Sequence, residues 1–128
     1  MVLVDTSIWI DHFRRRDPVL ANLLDQASVL IHPFIRGELA CGNFRDRQAV
    51  LNDLAALPRT ISATDPEALK LLEGRALWGR GLGWVDVHLL ASALLSDCAL
   101  WTRDERLAVT ARHAGVKRYP RPGAFPAS

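Results

Sequence analysis

Cysteine is nearly absent: Cys41 and Cys98 are the only two in 128 residues, with no CxxC and no Cys/His spacing of the zinc-binding kind. That excludes a disulfide scaffold and a structural zinc site, and it fits thiols kept reduced. Lysine is scarce as well, two residues against 14 arginines, so the basic side chains are planar forks rather than hydrated point charges. No apolar run reaches the roughly 18 residues a membrane span needs, and no basic leader or cleavage site precedes the first apolar segment. The chain is therefore expected in the cytoplasm, away from membranes. Repeats and low-complexity tracts are missing too. What is present is ordinary for a soluble domain, 49% hydrophobic and 23% charged residues, enough for one core across residues 1–128 and too little for two. Net charge is +2, but residues 100–128 carry six of the 16 basic residues and two of the 14 acids, a local excess of +4. Such an end either faces an anion or forms a solvated rim.

Val2 to Val4 reads as a buried strand that runs into a helix cap at Asp5-Thr6-Ser7. Helices follow over Ile8 to Arg16 and from Pro18, the latter with Leu20, Leu23 and Leu24 inward, and Ser28 to His32 is a second strand. Pro33 opens a helix to about Gly42, and Val50, Leu51, Leu54 and Leu57 mark another from Asp46 until Pro58. Thr64-Asp65-Pro66-Glu67 has capping-box spacing and starts a helix expected to end near Gly79 to Gly83. Val85 to Leu95 is apolar nearly all round and predicts a buried helix. Cys98 to Trp101 reads as a third strand, Asp104 to His113 as a helix, and Val116 to Tyr119 as a last short strand before a Pro/Gly-rich tail. Strands alternating with helices predict an α/β layer fold with a mostly parallel sheet, whose ligands bind beyond the carboxyl ends of the strands.

Most acids have plain structural roles. Asp11 precedes Arg14 and Arg15 by three and four residues, Glu73 follows Lys70 by three, and both pairs suit solvated helix faces. Four acids do not sort this way. Asp5 and Asp104 each follow a strand, which places them at the carboxyl edge of a parallel sheet. Glu38 shares a helix face with Phe34 and Cys41 beside Ile35 and Leu39, so its side chain is expected to point at the core. Asp86 begins the apolar helix in line with Leu89, Leu90 and Ala93. Helix capping accounts for Asp5, Asp104 or Asp86 singly; a shift of one residue in phase would turn Glu38 outward. Jointly they form a hard, oxygen-only cluster of the kind Mg²⁺ or Mn²⁺ prefers. Two carboxylates ~5 Å apart at an effective dielectric near 20 repel by roughly 3 kcal/mol, so four require a cation or protons. A divalent ion held there serves phosphodiester hydrolysis. His12, His32, His88 and His113 lack paired spacing, which speaks against metal ligation. Trp9, Trp78, Trp84 and Trp101 all lie in apolar segments and read as core or interface residues.

The segments VLVDTSIWIDHF, IRGELACG, GLGWVDVHLLASALL and LWTRDERL, in this order and covering nearly the whole chain, resemble the PIN-domain ribonucleases, specifically the VapC-type toxins of bacterial toxin-antitoxin pairs. The resemblance implies a three-layer α/β/α fold around a short parallel sheet and an endoribonuclease activity dependent on Mg²⁺ or Mn²⁺. By position, Asp5, Glu38, Asp86 and Asp104 match the family's acidic quartet, with Asp5, Asp86 and Asp104 holding the metal. Thr6, Ser7 and Thr102 resemble the hydroxyls that order such a site, although capping and strand-end hydrogen bonds explain them equally. Also implied are an RNA substrate, a VapB-type antitoxin whose tail fills the groove, and a homodimer. Arg103, Arg106 and Arg112, on or beside the Asp104 helix, either guide an RNA backbone or are solvated charges.

Two other classes remain open on residues alone. A phosphoryl receiver or haloacid-type phosphatase has similar length and acids at strand ends. The first wants a second acid near Asp5 and a lysine after the last strand, whereas Lys117 falls inside it; the second wants Asp-x-Asp, and position 7 is serine. A catalytically inactive PIN-like binding module is the other, and the presence of all four acids argues against it.

Overall fold

The computed structural model describes residues 1–120. Three short parallel strands, β1 (Val2–Val4), β2 (Val29–Leu30) and β3 (Ala99–Trp101), form a sheet in the order β2-β1-β3. Seven helices surround it in a three-layer α/β/α arrangement: α1 (Thr6–Arg14), α2 (Pro18–Asp25), α3 (Pro33–Ala40), α4 (Arg47–Ala56), α5 (Asp65–Gly74), α6 (Trp84–Leu95) and α7 (Glu105–His113). β1 is buried along its whole length, as a parallel strand covered on both faces must be, which is why Val2-Leu3-Val4 shows no alternation. Leu3, Val4, Ile8, Leu20, Ile35, Leu90 and Leu100 make the centre of the core. Val87 to Ala93 of α6 are buried without a break, but Val85, Leu94 and Leu95 at its ends are exposed, so the helix expected to be buried over Val85 to Leu95 is buried only in its middle.

The sheet is narrower than the sequence suggests, because only single bridges extend it. Ile31 pairs with Arg59 on one side and Leu100 with Arg118 on the other, both in parallel. The expected strand over Val116 to Tyr119 thus reduces to two hydrogen bonds on Leu100. The Pro/Gly-rich tail lies, from residue 121 on, outside the described residues. α5 also stops at Gly74, short of the expected glycine cluster. Ala76 turns left-handed at φ 51°, and the Leu77 N–H reaches back to the Leu72 carbonyl at 2.9 Å, closing the helix end. Ala27 after α2, Asp97 after α6 and Gly115 after α7 end their helices by the same backbone motif, and only the last advertises it by residue type.

α3 begins on an unusual cap. His32 is 1% exposed, its Nδ1 accepts the Phe34 N–H at 3.0 Å, and its Nε2 lies 3.2 Å from the Ser92 hydroxyl. Burial, with a smaller contribution from His88, lowers its pKa to about 4. The folded chain therefore resists a proton that the unfolded chain takes up near 6.5, so this stability is complete above that value and is lost as pH falls towards 4. Urea denaturation should show a loss of roughly 3 kcal/mol from this residue between pH 7 and 4, and His32→Asn, which keeps a cap without a titrating group, should flatten that slope.

Candidate active site

β1 and β3 end side by side, and the Asp5 N–H continues the ladder to the Trp101 carbonyl at 2.9 Å. The chain then enters α1 after Asp5 and α7 after Asp104, so both acids stand at the carboxyl edge of the sheet as expected. Both are also helix caps. Asp5 Oδ1 accepts the Thr6 N–H at 2.8 Å, and Asp104 Oδ1 accepts those of Arg106 and Leu107 at 3.0 and 3.2 Å. Capping uses one oxygen of each, and the cap holds the carboxylate where the cleft needs it. The other Asp5 oxygen, Oδ2, accepts the Thr102 hydroxyl proton at 2.7 Å, while Thr102 Oγ1 accepts the Asp104 N–H at 3.1 Å. Thr102 is buried and ties the two acidic segments together.

Asp86 sits in the first turn of α6, half-buried, with Oδ2 accepting the Gly83 N–H at 3.1 Å. Glu38 departs from expectation. Ile35 and Leu39 supply the buried face of α3, whereas Phe34, Glu38 and Cys41 are exposed. The helix turns its flank to the cleft, so Glu38 overlooks the other acids instead of entering the core. All four carboxylates line one cleft of about 520 Å³, together with Thr6, Ser7 and Arg103 and the apolar Ile10 and Val85. Burial, then Asp5 and Asp86, raises the pKa of Glu38. Burial also raises that of Asp86, the Gly83 hydrogen bond opposes it, and Asp5 and Asp104 add to it. The Thr6 and Ser7 hydroxyl oxygens are buried beside them without a hydrogen-bond partner among the described residues. No three acidic, histidine or cysteine side chains among the described residues lie close enough for one ion to join them as they stand.

Of the three arginines, only Arg103 lines the cleft. Its Nε pairs with Asp11, which does not form the expected local pair with Arg14 or Arg15. Arg106 packs over Gly81, where a side chain would lie 3.0 Å from its guanidinium. Arg112 is exposed near the far end of α7, about 12 Å along the axis from Asp104. The tryptophans divide as well. Trp9 is buried, but Trp78 and Trp84 are exposed, because each stands at the edge of its apolar run and outside the buried span.

The PIN domain model matches residues 2–113. The chain belongs to the PIN-domain family. Within it the VapC branch is indicated by 46% identity over 117 residues, 91% of this chain and 94% of the relative, to ribonuclease VapC32 of Mycobacterium tuberculosis, in strains CDC 1551/Oshkosh and H37Rv alike. PAE2754 from Pyrobaculum aerophilum shares the fold of this PIN domain, with a TM-score of 0.54 over 89% of both chains at 17% identity.

Two expectations follow from this geometry. Thr102→Val removes the hydroxyl that joins Asp5 to Asp104 and should cost about 1–2 kcal/mol, with Thr102→Ser recovering most of it in urea denaturation. Glu38 and Asp86 have raised pKa values, so the folded PIN domain binds more protons than the unfolded chain between the ordinary and raised values. Their stabilising contribution is complete below the unfolded carboxylate range and lost as pH rises through the folded values. In metal-free buffer Glu38→Gln and Asp86→Asn should therefore be more stable than the parent at pH 7, with the difference vanishing as pH falls towards about 4.

Proposed function

We propose that this PIN domain is an endoribonuclease dependent on Mg²⁺ or Mn²⁺, a toxin of the VapC type held in check by a VapB-type antitoxin. The observation that carries the reading is the convergence of Asp5, Glu38, Asp86 and Asp104 on one cleft. The donor set suits a hard divalent cation: carboxylate oxygens from four segments, two orphaned hydroxyls beside them, and two acids with pKa values raised partly by their neighbours. Asp5, Asp86 and Asp104 would hold the ion, which when bound supplies Lewis-acid polarisation of a phosphoryl oxygen. Thr102 fixes the Asp5 carboxylate, and the caps on α1 and α7 fix the positions of Asp5 and Asp104. Glu38 accepts no hydrogen bond from the described residues and has a raised pKa, which suits its carboxylate to take the proton of an attacking water. Arg103 faces the cleft and is placed to meet a phosphate oxygen.

The name of the mycobacterial relative supports RNA as substrate. An antitoxin that presents a basic side chain to the acids would answer the same charge excess that a metal answers, and a homodimer and a cytoplasmic location complete the reading. No helix among the described residues is long and apolar enough to cross a membrane. The receiver alternative lacks its lysine, since the basic side chain among the residues lining the cleft is Arg103.

Purified protein should cleave single-stranded RNA with Mg²⁺ or Mn²⁺, and Asp5→Asn or Asp86→Asn should slow cleavage at least roughly 100-fold. About 10 mM Mg²⁺ acting on a dissociation constant near 1 mM should stabilise the parent by roughly 1.4 kcal/mol, about 3 to 6 °C in melting temperature. Asp5→Asn keeps a capping oxygen and should lose most of that response. Parental cleavage rates in excess chelator, or in either variant, would overturn the reading.

A further inference from the structure

Two large aromatic side chains stand open to solvent beside the acidic cleft. Phe34 is 40% and Trp84 42% exposed. Phe34 lies one helical turn before Glu38 on the same flank of α3, and Trp84 directly precedes Val85 and Asp86, which line the cleft. The two rings share one support. His88 is buried, with its ring centroid 5.2 Å from Phe34 at 64° and 4.6 Å from Trp84 at 88°. His32, also buried, lies 4.9 Å from Phe34. His88 Nε2 is 2.9 Å from Asp65 Oδ1, close enough for an ion pair but without hydrogen-bond alignment. Scattered exposed apolar residues need no explanation. Two aromatics anchored on one imidazole, on the two helices that carry Glu38 and Asp86, are a different matter.

The charge of the cleft indicates what covers them. It presents four carboxylates and one arginine, and that arginine is already paired with Asp11. With only a bound cation and Arg103 to meet phosphate there, the cleft grips the backbone at few points, and a substrate strand gains from an attraction that does not depend on charge. Stacking of bases on aromatic faces supplies one, tolerant of sequence. Resting on the ribonuclease reading above, we propose that Trp84 and Phe34 form a stacking platform for the bases of single-stranded RNA next to the phosphate being cleaved.

The test uses the full chain carrying Asp5→Asn, which slows cleavage at least roughly 100-fold, with Mg²⁺ present and two labelled eight-residue strands: oligoadenylate, and an abasic ribose-phosphate strand of equal charge. Oligoadenylate should bind at least about 5-fold more tightly than the abasic strand. Trp84→Leu or Phe34→Leu should weaken oligoadenylate binding by roughly 5-fold or more and leave the abasic strand unchanged, while Trp84→Tyr restores a stacking face and most of the affinity. Circular dichroism checks that each variant is folded. Equal losses on both strands would assign the rings a purely structural role and overturn the platform. So would an adenylate preference that survives the double leucine variant, which would leave the rings to an apolar protein partner. The two readings fail separately. If the chain with Asp5 restored cleaves RNA while binding ignores the rings, only the platform falls; a chain that neither cleaves nor binds RNA removes both.

Discussion

Three helices, α1, α6 and α7, begin at the cleft, and each begins beside a carboxylate that accepts a backbone N–H at 2.8 to 3.2 Å. The free amides of a helix N-terminus carry a partial positive charge, and a nearby carboxylate is stabilised by about 0.3–1 kcal/mol. Without this arrangement Asp5, Asp86 and Asp104 would share a half-enclosed space with no positive counterpart beyond Arg103. With it, three like charges are each partly compensated by backbone. The positions of these three acids follow from where their helices start, and for α1 and α7 the start follows from the sheet.

β1 lies between β2 and β3, so the segment after it emerges at the middle of the sheet's carboxyl edge and the segment after β3 emerges beside it. Register does the rest. Val4 pairs with Trp101, which sets Asp5 and Thr102 one residue further on at the same level, within reach of the 2.7 Å hydrogen bond between them. A slip of one residue between the strands would put the two side chains on opposite faces. The buried Thr102 hydroxyl is thus a joint between fold and site, since it reads the strand register and passes it to the Asp5 carboxylate and to the backbone of Asp104.

Much of this was legible in the sequence because it depends on local signals. A strand followed by a capping acid is visible at Asp5 and at Asp104, and the apolar run of α6 shows that it is buried. Glu38 stood out for the right reason and was aimed the wrong way: periodicity locates the apolar stripe of α3 at Ile35 and Leu39 but not what its flank faces. The end of α5 was missed because alanine, not glycine, takes the left-handed position. Arg103 and Asp11 are 92 positions apart, and no spacing rule reaches across a tertiary contact of that kind. Trp84 was hidden by its neighbours, since an apolar segment reads as buried throughout although its first residues lie outside the core.

The four carboxylates are consequently not equivalent. Asp5, Asp86 and Asp104 each accept at least one backbone hydrogen bond, which fixes the oxygen in space. Glu38 accepts none from the described residues, sits in the second turn of its helix away from the helix start, and has its pKa raised by burial and by two of the others. Asp86 falls between, because burial and its neighbours outweigh its single bond to Gly83. The cleft thus holds three acids fixed in space by backbone donors and a fourth, Glu38, that no backbone donor among the described residues fixes. Part of that asymmetry is helix geometry: an acid at a helix start meets free backbone N–H groups, and Glu38, five residues after the first residue of α3, does not.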